Sequence, residues 1–227
     1  TKLKITGHQE PIIDGDHMIV YYDFLRKINL KTGRQVWMDT TKEERPREKN
    51  APMPGANYAS MLLRDGVLYT PYGDGLAAFD PSTGEIKWRI DDVTGSIVTE
   101  MQIDGETLYY RGGGIIKDPG RNAVTLDAGY NGVSLSDGQR IWQEDIVVAG
   151  PVTNWAFGNG RIYVGAGDSL ITIDKGVTGN REAEKRGDVF GFENEMPLTL
   201  QIKGGDLLVQ GRQNVALFGI PDGDGVR

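Results

Sequence analysis

The stretch AAFDPSTGEIKW (Ala77–Trp88) decides how this chain is read, because its pattern occurs three times. KINLKTGRQVW (Lys27–Trp37) lies upstream of it and GVSLSDGQRIW (Gly132–Trp142) downstream. Each copy runs apolar–x–apolar, then a polar pair, a glycine, two or three residues and a tryptophan. Trp37, Trp88 and Trp142 are 51 and 54 residues apart, and self-similarity at such a period marks an array of supersecondary units. A second marker stands ahead of each tryptophan, a glycine turn followed by an alternating apolar strand. It reads Asp14-Gly15 before HMIVYY, Asp65-Gly66 before VLYTPY and Asp104-Gly105 before ETLYYR. Asn159-Gly160 before RIYVGA and Gly204-Gly205 before DLLVQG continue the series without a matching tryptophan. Five repeats are counted on this basis, three clear and two degraded.

Each repeat parses into four short strands. In the second they are ASMLLRD, VLYTPY, GLAAFD and EIKWRI, joined through Asp65-Gly66 and the Pro81–Gly84 turn. Alternation in VLYT and EIKWRI suits half-buried strands, and Asp-Gly and Thr-Gly suit hairpin turns. Glycine makes up 32 of the 227 residues, about twice the usual share, which means many turns and many short strands. Four-stranded antiparallel modules repeated at about 40–55 residues are the signature of propeller blades. The expected fold class is therefore all-β, a β-propeller of about five four-stranded blades forming one domain over residues 1–227. Only Asn180–Arg186 (NREAEKR) has helical composition, and it is too short and too polar to bury a face.

Charge and residue usage narrow the function classes. The chain carries 25 basic and 32 acidic residues, a net charge of −7. A nucleic-acid binder needs a basic face to release counterions, so nucleic acid is not expected as a partner. Zero cysteines exclude disulfides, thiolate metal sites and a cysteine nucleophile. Two histidines, His8 and His17, leave almost no room for a multi-histidine metal site. His17 opens a strand and reads as structural; His8 lies in a link and reads as solvated. Apolar runs are only a few residues long, so neither a membrane-spanning helix nor a signal-peptide core is expected. The first residue is Thr1 rather than Met, so any targeting segment or lipid-bearing cysteine would lie outside this sequence.

The strand–Thr-Gly–xxx–Trp form resembles the repeat of the quinoprotein-like β-propellers, the pyrroloquinoline-quinone-type family. The resemblance is strong from Ile12 to Glu144 and weak afterwards. It implies that Trp37, Trp88 and Trp142 pack between neighbouring blades, an indole at one phase of every blade being a packing device. It implies little about chemistry, because the same blades serve quinone dehydrogenases, outer-membrane assembly scaffolds and sensor domains. In the quinone enzymes the resemblance implies an adjacent cysteine pair over the quinone and a calcium ion held by Glu, Asn and Asp. This sequence has no cysteine, and Glu100 and Asn154 are at most two mimics of calcium ligands. No cofactor is expected, and no metal site.

The ends and insertions supply the remaining candidates. Lys2–Thr6 (KLKIT) resembles an outer fourth strand, whereas Asn214–Gly225 reads as a third strand and its turn. The first segment would then complete the last blade and close a five-blade ring; the alternative is part of a larger ring. Two insertions are expected on one face, Asp39–Gly55 with KEERPREK and Gly112–Asn131 with GGGIIKDPGR. Loops of that kind are where binding groups usually sit, and Arg45, Arg47, Arg111, Lys117 and Arg121 are the candidate partner contacts. Gly112–Gly114 lacks the GK[ST] ending of a phosphate loop and reads as a strand connection. Asp222 and Asp224 resemble half of a calcium loop and read as a turn. On inner strands, Asn57, Tyr58, Glu100, Asn154 and Trp155 are candidate ligand contacts at a channel mouth.

These features lead to a non-catalytic propeller scaffold for protein–protein interaction, of the kind found among outer-membrane assembly relatives. An extracytoplasmic location, periplasmic or cell-surface, goes with that resemblance. Membrane association is expected only through an anchor that this sequence does not contain. Two alternatives stay open: a quinone-dependent dehydrogenase or a piece of one, and a small-molecule or carbohydrate sensing module.

Overall fold

Short hairpins build the whole described structure. The computed structural model describes residues 10–21, 24–39, 61–72, 75–90, 98–112, 115–116, 124–125, 129–145, 152–158, 160–166, 169–175, 184–185, 199–211 and 215–219. The chain divides into two compact units, Thr1–Arg140 and Ile141–Arg227, and each is described by itself.

In the first unit, β1 (Ile12–Asp14), β2 (His17–Tyr21), β3 (Leu25–Asn29) and β4 (Gln35–Met38) form one antiparallel four-stranded sheet in chain order. A second sheet has the same order: β5 (Leu62–Arg64), β6 (Val67–Tyr72), β7 (Gly75–Phe79) and β8 (Ile86–Ile90). A third contains β9 (Val98–Asp104) and β10 (Thr107–Gly112), then β13 (Gly129–Ser134) and β14 (Arg140–Asp145), the last strand running across the division between the units. Between β10 and β13 the insertion forms a two-stranded hairpin of its own, β11 (Ile115–Ile116) with β12 (Val124–Thr125). The second unit holds β15 (Val152–Gly158), β16 (Arg161–Ala166), β17 (Ser169–Asp174) and β18 (Glu184–Lys185) in a four-stranded sheet. It also holds a three-stranded sheet of β19 (Thr199–Lys203), β20 (Asp206–Gln210) and β21 (Val215–Gly219). No helix occurs among the described residues, and Glu184–Lys185, within the segment of helical composition, pairs with Ile171 and Thr172 as an outer strand.

Turn chemistry sets the register. Arg64 pairs with Val67, leaving Asp65 and Gly66 as a two-residue loop with φ of 50° and 70°. Two positive φ values in succession define the turn whose twist matches the flanking strands, and an Asp-Gly pair tolerates them best. The loop between third and fourth strands is also repeated. Gly33, Gly84 and Gly138 each donate their amide back to the residue four earlier, Asn29, Asp80 and Ser134. Side chains of those three residues brace the turn: Asn29 Oδ1 accepts from the Thr32 amide at 2.9 Å, Asp80 Oδ1 from the Ser82 amide at 2.7 Å, and Ser134 Oγ from the Ser136 amide at 3.3 Å. The Ser82 hydroxyl and amide hold the Asp80 carboxyl below its ordinary pKa.

Core formation follows from period-two alternation on the middle strands. Leu68, Tyr72, Ala77 and Phe79 face the first sheet, where they meet Ile19, Leu25 and Trp37. Their alternates Tyr69, Leu76 and Ala78, with Trp88, face the third sheet and meet Met101, Leu108, Tyr110 and Val133. A sheet covered on both sides needs apolar residues at successive positions, which is why GLAAF is buried throughout. Burying each large side chain there contributes about 1.5–3 kcal/mol. In β21, by contrast, burial alternates, and Val215 and Leu217 stay exposed.

Candidate functional site

Trp37, Trp88 and Trp142 occupy the fourth strand of their sheets, β4, β8 and β14, as the repeat requires. Trp37 Nε1 donates to the Pro81 carbonyl at 3.0 Å, and Trp88 Nε1 donates to the Leu135 carbonyl at 2.8 Å. Pro81 and Leu135 occupy the same place, directly after the third strand of the following sheet. Each indole then lies flat on the glycine of that sheet's turn. A Cβ on Gly84 would come within 2.7 Å of the Trp37 ring, and one on Gly138 within 2.7 Å of the Trp88 ring. This explains why the Thr-Gly (or Asp-Gly) and the Trp recur together in sequence: one blade's glycine is the floor for the previous blade's tryptophan. Trp88 and Trp142 are buried, while Trp37 is only partly so. At the first such interface Lys27, itself buried, adds a bond to Pro81 O at 3.0 Å and an ion pair with Asp14 at 2.8 Å. Tyr72 and Asp39, both buried, share a 2.6 Å hydrogen bond beneath Arg89, whose guanidinium stands 5.1 Å from the Tyr72 ring centre.

A polar row crosses the third sheet. Arg111 on β10 pairs directly with Glu100 on β9 and with Tyr130 on β13. The structure thus brings together Glu100, expected at a channel, and Arg111, expected in a loop. Tyr130 is almost fully buried. Burial pushes its hydroxyl up to about 12, the Arg111 guanidinium that hydrogen-bonds it pulls the other way, and the Glu100 carboxylate adds to the rise. The neutral phenol, a cation and an anion side by side form a fixed donor–acceptor strip at the base of the β11–β12 insertion.

In the second unit Asn154 acts as a clamp. Its Oδ1 accepts from the Leu200 amide at 2.8 Å and its Nδ2 donates to the Leu200 carbonyl at 2.8 Å, tying β15 to β19. Trp155 is 2% exposed with its ring 5.9 Å from Phe157, a core placement. The quinone and calcium that the family resemblance implies in its enzymes are poorly matched by these side chains. The oxygen that Asn154 would give a cation is already engaged by a backbone amide, Glu100 lies beside an arginine, and no cysteine exists to cover a quinone.

Asn57, Tyr58, Arg45, Arg47, Lys117 and Arg121 lie outside the described residues, as do His8, Lys2–Thr6, Asp222 and Asp224. His17 opens β2, its Nε2 3.4 Å from the Asn29 amide nitrogen across the hairpin. Tyr130, Lys27 and the Tyr72–Asp39 pair were not singled out by the sequence. Register from the turn would have found the row: Asp104 pairs with Thr107, so counting four residues back along each strand places Glu100 opposite Arg111. No such local signal exists for Lys27 or Asp39.

Residues 23–129 match the family model described as outer membrane protein assembly factor BamB. No curated protein matches the chain in sequence. Among solved structures, the computationally designed protein Ika8 is similar with TM-score 0.58 and 15% identity, over 92% of this chain and 57% of its own. A quinohemoprotein alcohol dehydrogenase from Pseudomonas putida is similar with TM-score 0.53 and 14% identity, over 94% of this chain and 40% of its own. BamB from Moraxella catarrhalis gives TM-score 0.46 and 16% identity, over 97% and 72%. The chain thus spans little more than half the designed protein and less than half the dehydrogenase, and at these identities the likeness speaks to fold. The repeated turn–tryptophan unit and the four-stranded sheets are those of a PQQ-like repeat β-propeller, and residues 23–129, a little under half of the chain, carry the family match.

Proposed function

We propose that the protein is a non-catalytic propeller scaffold that engages other proteins outside the cytoplasm. The observation that carries this reading is the match of residues 23–129 to a family described by outer-membrane protein assembly. That segment contains the first insertion, all but the last two residues of the second, and all five candidate contacts, Arg45, Arg47, Arg111, Lys117 and Arg121. Edge strands support the same reading. Strands β4 and β8 are the outer members of their sheets and expose Val36 and Ile86; an edge with apolar side chains is a template for an added partner strand. The polar strip Glu100–Arg111–Tyr130 stands on β9, β10 and β13 beside the start and end of the β11–β12 insertion.

The test is site-specific photo-crosslinking in cells from positions 45, 86 and 117, with Glu106 in the exposed turn between β9 and β10 as the reference. Discrete protein adducts from the first three, and none from the reference, are expected. Titration of the purified protein with pyrroloquinoline quinone and calcium supplies the opposing result: stoichiometric binding lost in Glu100→Gln would replace the scaffold with the enzyme.

A further inference from the structure

Asp-Gly pairs recur at the turns, and the structure treats one of them differently. Four such pairs lie among the described residues: Asp14-Gly15, Asp65-Gly66, Asp104-Gly105 and Asp137-Gly138. Asp14 and Asp104 stand on strand ends, where they close their hairpins opposite His17 and Thr107. Asp14 also holds the Lys27 ammonium at 2.8 Å. Asp137 lies in a turn that ties down both its carboxylate and the following amide. Its Oδ1 accepts from the Gln139 amide at 3.1 Å, and the Gly138 amide donates to the Ser134 carbonyl at 3.0 Å. Asp65 is instead inside its loop, because Arg64 and Val67 make the closing pair. It takes the place held by Gly15, Gly105 and Gly204 in other hairpins, and it is the one non-glycine residue with positive φ, at 50°, among the described residues. Its side chain is 87% exposed, and Arg64 Nε approaches its carboxylate at 3.3 Å. A Cβ on Gly66 would meet nothing within 4 Å, so the loop is open around the Gly66 amide.

We infer that Asp65-Gly66 is a site of spontaneous isomerisation, at which the aspartate passes through a succinimide and D-aspartate is the product the turn retains. The Gly66 amide nitrogen attacks Asp65 Cγ, and the amide proton and the carboxyl hydroxyl leave together as water. The five-membered imide then takes water back. Addition at the former side-chain carbonyl restores the aspartyl bond, whereas addition at the former main-chain carbonyl leaves the chain running through the side chain as isoaspartate. The Cα proton of the imide exchanges with water, so both hands form. One water is lost and one gained, and nothing is oxidised or reduced. Ring closure needs an exposed carboxyl, an amide outside the ladder and a backbone that swings one onto the other. The hairpin bonds belong to the closing pair Arg64 and Val67, which leaves the Gly66 amide outside them. Glycine offers that nitrogen the least steric hindrance, and an L residue held at positive φ gives up little by leaving it. The same geometry sorts the products. A two-residue loop with positive φ at both positions suits a D residue, whereas isoaspartate adds a main-chain atom and disturbs the pairing of Leu62 with Tyr69. Strand β6 is buried from Leu68 to Tyr72, so that disturbance reaches the core. Repeated closure and opening therefore drains the other forms toward the one that fits. This inference is independent of the scaffold reading.

The test follows the purified chain over weeks at physiological temperature, folded in buffer and unfolded in guanidinium chloride. It is then digested without cleavage at Arg64, and the peptide around position 65 is compared with synthetic standards carrying L- and D-aspartate and L- and D-isoaspartate. In the folded chain, isomerised product at position 65 is expected to exceed that at positions 14, 104 and 137 several-fold. In guanidinium chloride the four positions should approach one another. The ratio of D-aspartate to isoaspartate at position 65 should be higher in the folded chain than in a free peptide of residues 61–70. Asp65→Gly, which supplies the residue found in the other loops, should remove the new species. A position 65 that isomerises no faster than position 137 in the folded chain overturns the inference. So does a D-aspartate share equal to that of the free peptide, and so do species that persist in Asp65→Gly, which would place the reaction elsewhere.

Discussion

The interfaces of the first unit and the interface of the second solve one problem with different chemistry. Between β4 and the second sheet, and between β8 and the third, an indole is bonded to a carbonyl and laid on a glycine. Between the four-stranded and three-stranded sheets of the second unit no tryptophan plays that part. Ala156 and Tyr163 interdigitate there with Leu200, Leu207 and Val209, Gly158 admits Ile202, and Asn154 bridges to the Leu200 backbone. In the first arrangement the fixing group is a repeated side chain on the outer strand. In the second it is an amide on the inner strand, with aliphatic packing behind it. A periodic device leaves a periodic trace in sequence, and an aperiodic one leaves none. That is why the repeats look clear before residue 144 and degraded after it, although the sheets themselves continue.

The comparison breaks most visibly at Trp88. Trp88→Ala removes a buried ring and the bond to Leu135, and should cost about 3–5 kcal/mol, read as a large fall in melting temperature. A change no larger than that of an exposed substitution such as Lys87→Ala would mean that the indole does not hold the sheets together.

Next in size is Gly138→Ala. The new methyl meets the Trp88 ring at 2.7 Å on a backbone that disfavours any side chain, so overpacking and strain together should cost about 2–4 kcal/mol. Chemical denaturation of the variant measures it.

Tyr130 sharpens the comparison through pH. Its pKa is raised from the ordinary 10.0 to about 12, so folding favours the neutral phenol. The resulting stabilisation is complete below pH 10 and is lost as pH rises through about 12, worth about 2–3 kcal/mol in all. The wild-type urea midpoint should therefore fall relative to that of Tyr130→Phe across that window; parallel curves would show that Tyr130 ionises as freely folded as unfolded.

In the second unit, Asn154→Ala leaves the Leu200 amide and carbonyl without the clamp and should cost about 1–2 kcal/mol. Amide exchange should quicken in β15 and β19 while Leu108 and Val133 in the first unit keep their protection. Uniform quickening in both units would contradict the local role given to Asn154. The smallest effect is expected at Gly33, where alanine meets backbone strain alone, about 1 kcal/mol, well below the same change at Gly138.

Alternation and glycine turns determined the elements of this protein by themselves. A Gly in a two-residue loop and an apolar residue at every second position are local requirements of a hairpin, so strands β1 to β8, β13 and the turns between them could be read before any coordinates. The phase of Trp37, Trp88 and Trp142 was equally legible, since each must sit on the same strand to serve the same interface. Tertiary structure alone decided what those tryptophans rest on, because Gly84 lies 47 residues beyond Trp37 and Gly138 lies 50 beyond Trp88. It also decided that Asn154, a candidate ligand contact by composition, spends its amide on Leu200, and that Glu100, Arg111 and Tyr130 form one strip rather than serving separate sites. Periodicity reports which face a residue takes; the partner across that face is fixed only when distant strands are brought alongside one another.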